Sequence, residues 1–188
     1  MRRVLLAGLL GGLAVFVWSF ISHMVLPLGE AGVRTLPNEE TVLTEMRSSI
    51  PEAGFYIFPT MGDPSKATEA EQAQWAEKYR TGPAGILVYH PAGGEFSFPR
   101  LLLIELLTNI LAALIAAFVL ARVAGSYLQR VLVVGALGLF AWFSISVSYW
   151  TWYGFPGSFI LAEGIDQLIG WLVAGLVIAK MTPVQQPV

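Results

Sequence analysis

Residues 4–22 carry no charged side chain, and neither do residues 131–162. Uncharged runs of this length constrain the fold more than any other feature of the chain. A bilayer core takes roughly 20 apolar residues to cross as a helix, and inside it the backbone must satisfy its own hydrogen bonds. Four segments are long enough: residues 4–26, 99–123, 131–150 and 156–181. Composition agrees, with 55% hydrophobic and 13% charged residues and a mean hydropathy of +0.64, where a soluble domain is about one-quarter charged. The sequence therefore predicts an all-α membrane protein with four transmembrane helices and a small α+β cap inserted between helices 1 and 2. The expected plan is a first span within residues 1–28, an extracytoplasmic cap at 29–97, spans at 98–124, 129–151 and 156–181, and a tail at 182–188.

The basic residues give an expected orientation. Arg2 and Arg3 precede the first span, Arg122 and Arg130 bracket the turn between the second and third, and Lys180 closes the fourth, with no acid beside them. Short basic flanks face the cytoplasm, so both termini are expected inside a bacterial-type inner membrane. The first span reads as an uncleaved anchor, because its apolar core exceeds the usual signal-peptide core of about 7–15 residues and no A-x-A site follows. Cysteine is absent, which excludes thiol redox chemistry, iron–sulfur ligation and disulfides.

An internal repeat is visible in the second and fourth spans. "FSFPRLLLIELLTNILAALIAAFVLARV" and "YGFPGSFILAEGIDQLIGWLVAGLVIAKM" share a Phe-Pro opening, an acid inside the apolar run and an Ala-base ending. At an offset of 58, Glu105 falls on Glu163, Asn109 on Gln167, Ala116 on Ala174 and Arg122 on Lys180. "FVWSFIS" from Phe16 and "FAWFSIS" from Phe140 echo each other at an offset of 124. The pattern suggests two helical hairpins running in the same direction, a parallel repeat with its axis along the membrane normal.

The polar residues inside the spans are the candidate site. Counted from the outer ends at about 1.5 Å per residue, His23 lies roughly 5 Å inside, Glu105 and Glu163 roughly 10 Å, and Asp166 roughly 15 Å. Ser144 and Ser148 occupy the matching half of the third span, which leaves the inner half greasy. Helical spacing gathers Gly8, Gly12, Ser19, Ser22 and His23 on one stripe, Glu105, Thr108, Asn109, Ala112 and Ala116 on another, and Glu163, Asp166, Gln167, Gly170 and Ala174 on a third. Small and polar residues on one stripe mark helix–helix contact in lipid, and buried acids should face one another, a histidine, a hydroxyl or water.

Three uses of this cluster compete. A neutral, hydrogen-bonded Glu105–Glu163 pair could lock the bundle, since burial disfavours the charged form. The cluster could handle protons or a small solute. His23, Glu105, Glu163 and Asp166 could instead hold a metal, although a carboxylate bundle would pair Glu with His at i, i+3. The metal question stays open at this stage, and no cofactor is predicted.

Tyr149, Trp150, Trp152, Tyr153 and Phe155 read as interfacial aromatics at the outer headgroup level. The cap should contain an amphipathic helix capped by Asn38, a second with a Thr68–Glu71 capping box and a Trp75–Tyr79 edge, and strands at "GFYIF" and "GILVYH" that each end before proline. Ten acids against five bases make residues 29–97 acidic, and His90 reads as a surface histidine. No phosphate loop, Ser-His-Asp order or HExxH is present, and nothing suggests nucleic-acid binding. The expected partners are the lipid bilayer and a membrane protein or a second copy of the chain. The expected role is a non-catalytic accessory or stabilising subunit of a membrane complex, with proton or small-solute handling as the alternative.

Overall fold

The computed structural model describes residues 1–184; the end of the expected tail, residues 185–188, lies outside them. Two compact units emerge, one formed by Met1–Val33 with the chain from Ser97 onward, the other by Arg34–Phe96.

The first unit is helical. α1 (Arg2–Phe20) runs on through a π-helical turn, Ile21–Val25. α4 (Phe98–Leu120) starts with Pro in its first turn, where the missing N–H is not needed. α5 (Tyr127–Ala141) continues through a second π-helical turn, Trp142–Ser146, into α6 (Val147–Tyr153), and α7 (Gly157–Met181) follows. Four helical stretches are thus long and apolar enough to cross a membrane: Arg2–Val25, Phe98–Leu120, Tyr127–Tyr153 and Gly157–Met181. Their outer faces leave Leu5, Leu9, Leu13, Val17, Leu111, Ile115 and Phe140 exposed. A continuous apolar surface of that extent suits lipid and not water.

The third span begins four residues earlier than the apolar run suggests, at Tyr127 and not at Val131. Ser126 accepts from the Gln129 backbone N–H while the Gln129 side chain accepts from the Ser126 N–H, a reciprocal cap that satisfies two orphan donors. Arg130 consequently lies inside the helix.

α1 packs along both α4 and α7, and α5 packs along α7, whereas α4 meets α5 and α7 over only a few residues. Small residues permit the close seams. Gly8 and Gly12 of α1 press on Leu114 and on the Ile110 backbone of α4, and Gly11 meets Ile178 of α7. The buried core is Ala7, Ala113, Ala116, Ala117, Leu120, Val131, Val134, Ala174, Ile178 and Ala179, with Val15 further along α1. Apart from Val15, these residues come from the start of α1 and α5 and the end of α4 and α7. The main cluster of buried residues therefore sits at one end of the unit, while Ile160 and Ala162 are buried near the start of α7.

The second unit holds α2 (Glu39–Ser49), β1 (Gly54–Phe58), α3 (Glu69–Thr81) and β2 (Gly85–Tyr89). The strands pair antiparallel, with Gly54 opposite Tyr89 and Phe58 opposite Gly85. The Thr68–Glu71 capping box is formed, Trp75 stacks at 5.4 Å on Tyr79, and its indole N–H donates to the Pro59 carbonyl at 3.0 Å. Asn38 differs from expectation. It precedes α2 in the left-handed region with no side-chain cap, a conformation asparagine tolerates better than most residues. His90 is exposed. Residues 29–33, assigned to the cap from sequence, belong with the helices, where Gly32 abuts Ser158 and Phe159 of α7.

Candidate functional site

At the end of the helical unit opposite its packed core, α1, α4 and α7 enclose an open cavity of about 610 Å³. It exists because α4 follows α1 and stands off from α7. Volumes of about 300–1,000 Å³ are those of small-molecule sites. The α1 wall and its π-helical turn supply Ser19 and His23, the α4 wall Glu105, Thr108, Asn109 and Ala112, and the α7 wall Glu163, Asp166, Gln167 and Gly170; Phe16, Trp18, Phe20, Phe98 and Trp171 are its aromatic lining, and Val15, Met24 and Leu102 complete it. The polar residues of the three sequence stripes, Ser22 excepted, thus share one space.

Each polar group has its own local arrangement. Asp166 accepts from the Trp18 indole N–H, at 2.8 Å to Oδ1 and 3.2 Å to its backbone oxygen. Glu105 accepts from the Asn109 amide on its own helix at 3.0 Å. The Trp171 indole donates to Gln167 Oε1 at 3.0 Å. Thr108 donates to the Ile104 and Glu105 carbonyls of its own helix. His23 Nδ1 lies 2.8 Å from Ser22 Oγ and 3.0 Å from the Ser19 carbonyl. A carbonyl can only accept, so Nδ1 carries a proton in its bond to Ser19. Glu163 receives no hydrogen bond from the described residues; the titratable groups nearest it are Asp166 and His23. The expected Glu105–Glu163 hydrogen bond is not formed, and the two acids stand on different walls.

A smaller space of about 250 Å³ lies on the α5–α6 side of α7, lined by Trp142, Ser146, Tyr149, Phe155 and, again, Glu163 and Gln167. Both spaces adjoin a π-helical turn. Ile21–Val25 carries Ser22 and His23, and Trp142–Ser146 carries Trp142 and Ser146. Such turns recur at functional sites because the extra residue lets side chains leave the regular stripe.

Other placements differ from the sequence reading. Ser144 is exposed and donates to Ala141 of its own helix; neither it nor Ser148 lines a cavity. The π-helical turn at residues 142–146 inserts a residue, which rotates the downstream helix by about 100°. Gly8, Gly12, Ala116, Gly170 and Ala174 are buried in helix seams, while Ala112 is half-buried at the cavity. Tyr149 stacks on Phe155 at 5.5 Å and lies 5.9 Å from Tyr153, while Trp150 and Trp152 are exposed. Among the described residues, no three His, Asp or Glu side chains stand close enough to hold a metal ion. The His23, Glu105, Glu163 and Asp166 set therefore does not assemble as ligands. Its acids are split between walls, and two of them are already engaged with Asn109 and Trp18.

Sequence reasoning passed over the tryptophans and Arg130. Trp18 and Trp142 dock on α7 from opposite flanks, over Gly170 and Gly164, and the Trp142 indole donates to the Ile160 carbonyl at 2.8 Å. The sequence signal for them is their matching place in "FVWSFIS" and "FAWFSIS". Arg130 is 1% exposed, although the sequence reading left the inner half greasy. It donates to the Ala179 and Thr182 carbonyls at 3.1 Å and to Pro183 at 3.3 Å, satisfying orphan acceptors where the helix dipole is negative. Tyr127 adds a bond to the Leu176 carbonyl at 2.9 Å.

No protein-family model, curated protein or solved structure matches the chain. The functional reading therefore rests on the cavity and its chemistry.

Proposed function

We propose that this chain is an integral membrane protein that binds a small solute in the cavity between α1, α4 and α7 and performs no covalent chemistry on it. The observation that carries this is the convergence of His23, Glu105, Asn109, Glu163, Asp166 and Gln167 on one open space of about 610 Å³. A cluster serving only to lock helices together would leave little room at its centre, because lipid-embedded bundles gain stability from close packing. The cavity thus moves the reading from an assembly subunit toward solute handling. In this proposal the termini are cytoplasmic, Arg34–Phe96 is extracytoplasmic, and the cavity belongs to the outer half of the membrane. The duplicated hairpin is retained as an account of origin. The matched tryptophans support it, while the uneven packing of α4 means that the two halves have diverged.

The test is a thermal-shift screen of the purified protein against small solutes, with Glu105→Gln/Glu163→Gln alongside. We expect a solute that raises the melting temperature of the parent and not of the double variant, the two having the same helical content. Equal shifts in both proteins, or purification in fixed stoichiometry with a larger complex and no solute response, would return the reading to an accessory subunit.

A further inference from the structure

We infer that the cavity selects an organic cation with an apolar body, held by Glu163. This deepens the proposed function and rests on it.

The argument is a count of donors and acceptors. The indole N–H of Trp18 is taken by Asp166, that of Trp171 by Gln167, the Thr108 hydroxyl by its own helix, and the Asn109 amide already serves Glu105. His23 spends its Nδ1 proton on the Ser19 carbonyl. The donors left free are uncharged ones, the Ser19 hydroxyl and amide N–H groups of Asn109 and Gln167. The titratable groups of the lining are three carboxylates and one imidazole. An anion would meet the carboxylates with mainly neutral donors to receive it. A neutral apolar molecule would leave the carboxylates facing it without water or a partner, a large cost. Glu163 is the carboxylate that no described side chain serves by hydrogen bond, and it lies between both cavities. The starts of α4 and α7 do not reverse this preference, because helix-dipole effects fade within the first turn and Glu105 and Glu163 lie beyond it.

The aromatic lining fits the same guest. Phe16, Trp18, Phe20, Phe98 and Trp171 surround the polar groups, and aromatic faces attract organic cations while covering an apolar body. A small hydrated metal ion would use neither the volume nor the rings.

The experiment compares two ions of nearly the same shape and opposite charge, tetraphenylphosphonium and tetraphenylborate, by equilibrium binding to the purified full chain in detergent. We expect saturable one-to-one binding of the phosphonium and none of the borate. Glu163→Gln should weaken phosphonium binding by about ten- to a hundredfold, the worth of one ion contact at an intermediate dielectric, while Glu163→Asp keeps most of it. Thr108→Trp, which fills the cavity from the α4 wall, should abolish binding, and helical content checks that each variant folds. If the borate binds as well, or Glu163→Gln binds the phosphonium as tightly as the parent, the cation assignment is wrong; sensitivity to Thr108→Trp would then leave the solute-binding reading standing. If no ion binds in a manner sensitive to Thr108→Trp, and the solute screen is also blank, both readings fall. An amine-headed lipid shares the cationic chemistry. Displacement of the probe by phosphatidylethanolamine, and not by phosphatidylglycerol, would assign the guest to the bilayer; displacement by neither assigns it to a free solute.

Discussion

Gly12→Ala places a methyl group where α1 and α4 leave no room for one. The added Cβ would overlap the Ile110 Cα and stand 2.7 Å from the Ile110 nitrogen and 2.9 Å from the Asn109 carbonyl oxygen, against a contact optimum of about 3.5–4.0 Å. All three obstacles are backbone, so no rotamer change relieves them, and α4 must withdraw by about 1 Å. A gap of 0.5–1 Å forfeits roughly a quarter to a half of the dispersion energy of each contact it opens. The affected seam includes Ala7, Val15, Ala113, Ala116 and Ala117. We expect a loss of about 2–3 kcal/mol, toward the upper part of the range for overpacked sites. The control is Gly157→Ala, where nothing stands within 4 Å of the added Cβ and alanine is the better helix former; its effect should be neutral or slightly stabilising. Unfolding in mixed micelles by titration with a denaturing detergent, followed by circular dichroism, measures both. A Gly12→Ala protein that unfolds at the parent's midpoint would refute the close approach of α1 to α4.

Three further outcomes are expected from the same geometry. Arg130→Met removes three hydrogen bonds to the end of α7 and should cost about 2–4 kcal/mol, given that bonds to charged groups are worth about 1.5–3 kcal/mol each and do not add fully; hydrogen exchange over residues 176–184 should accelerate, and Arg130→Lys should not restore it, because an ammonium lacks the planar fork. Trp18→Phe should lose about 1–2 kcal/mol, and a double-mutant cycle with Asp166→Ala, which removes the acceptor, should recover most of that as coupling; additive effects would disprove the 2.8 Å bond. In the second unit, the Thr68 N–H and hydroxyl hold the Glu71 carboxyl below the usual glutamate range. Because the folded pKa is depressed, this stabilisation is complete above the ordinary glutamate range and is lost as pH falls through the folded value. Thr68→Ala removes the hydroxyl and keeps the backbone N–H, so it should lessen that acid-side dependence without abolishing it, read as amide exchange in the first turn of α3.

Much of the architecture was legible because charge is costly in lipid. The gaps between charged residues mark the four spans to within a few residues, and the Thr68–Glu71 box and the two strands ended by proline fix most of the second unit. The stripes also led to the cavity, since a period of 3.6 carries His23, Glu105 and Glu163 to facing walls once α1, α4 and α7 are neighbours. The features that stayed hidden have specific causes. Ser144 sits within a π-helical turn and Ser148 comes after it, and that turn shifts the period that placed them inside. Arg130 reads from sequence as a base flanking the turn, and its burial stayed hidden because the S-x-x-Q cap at Ser126–Gln129 starts the helix before it. The tryptophan hydrogen bonds have no periodic signature, because an indole at a helix seam serves packing and hydrogen bonding alike. The cavity itself arises from unequal neighbours. Nothing in the spans foretold that α7 would take partners on both flanks while α4 kept one.

That inequality makes the α1–α4 crossing the dimension on which the cavity's width depends. α4 runs close against α1 where Gly8 and Gly12 admit Leu114 and Ile110, and it meets α5 and α7 over few residues. Larger side chains at Gly8 or Gly12 would displace α4, and with it the wall that carries Glu105 and Asn109, although neither glycine lines the cavity.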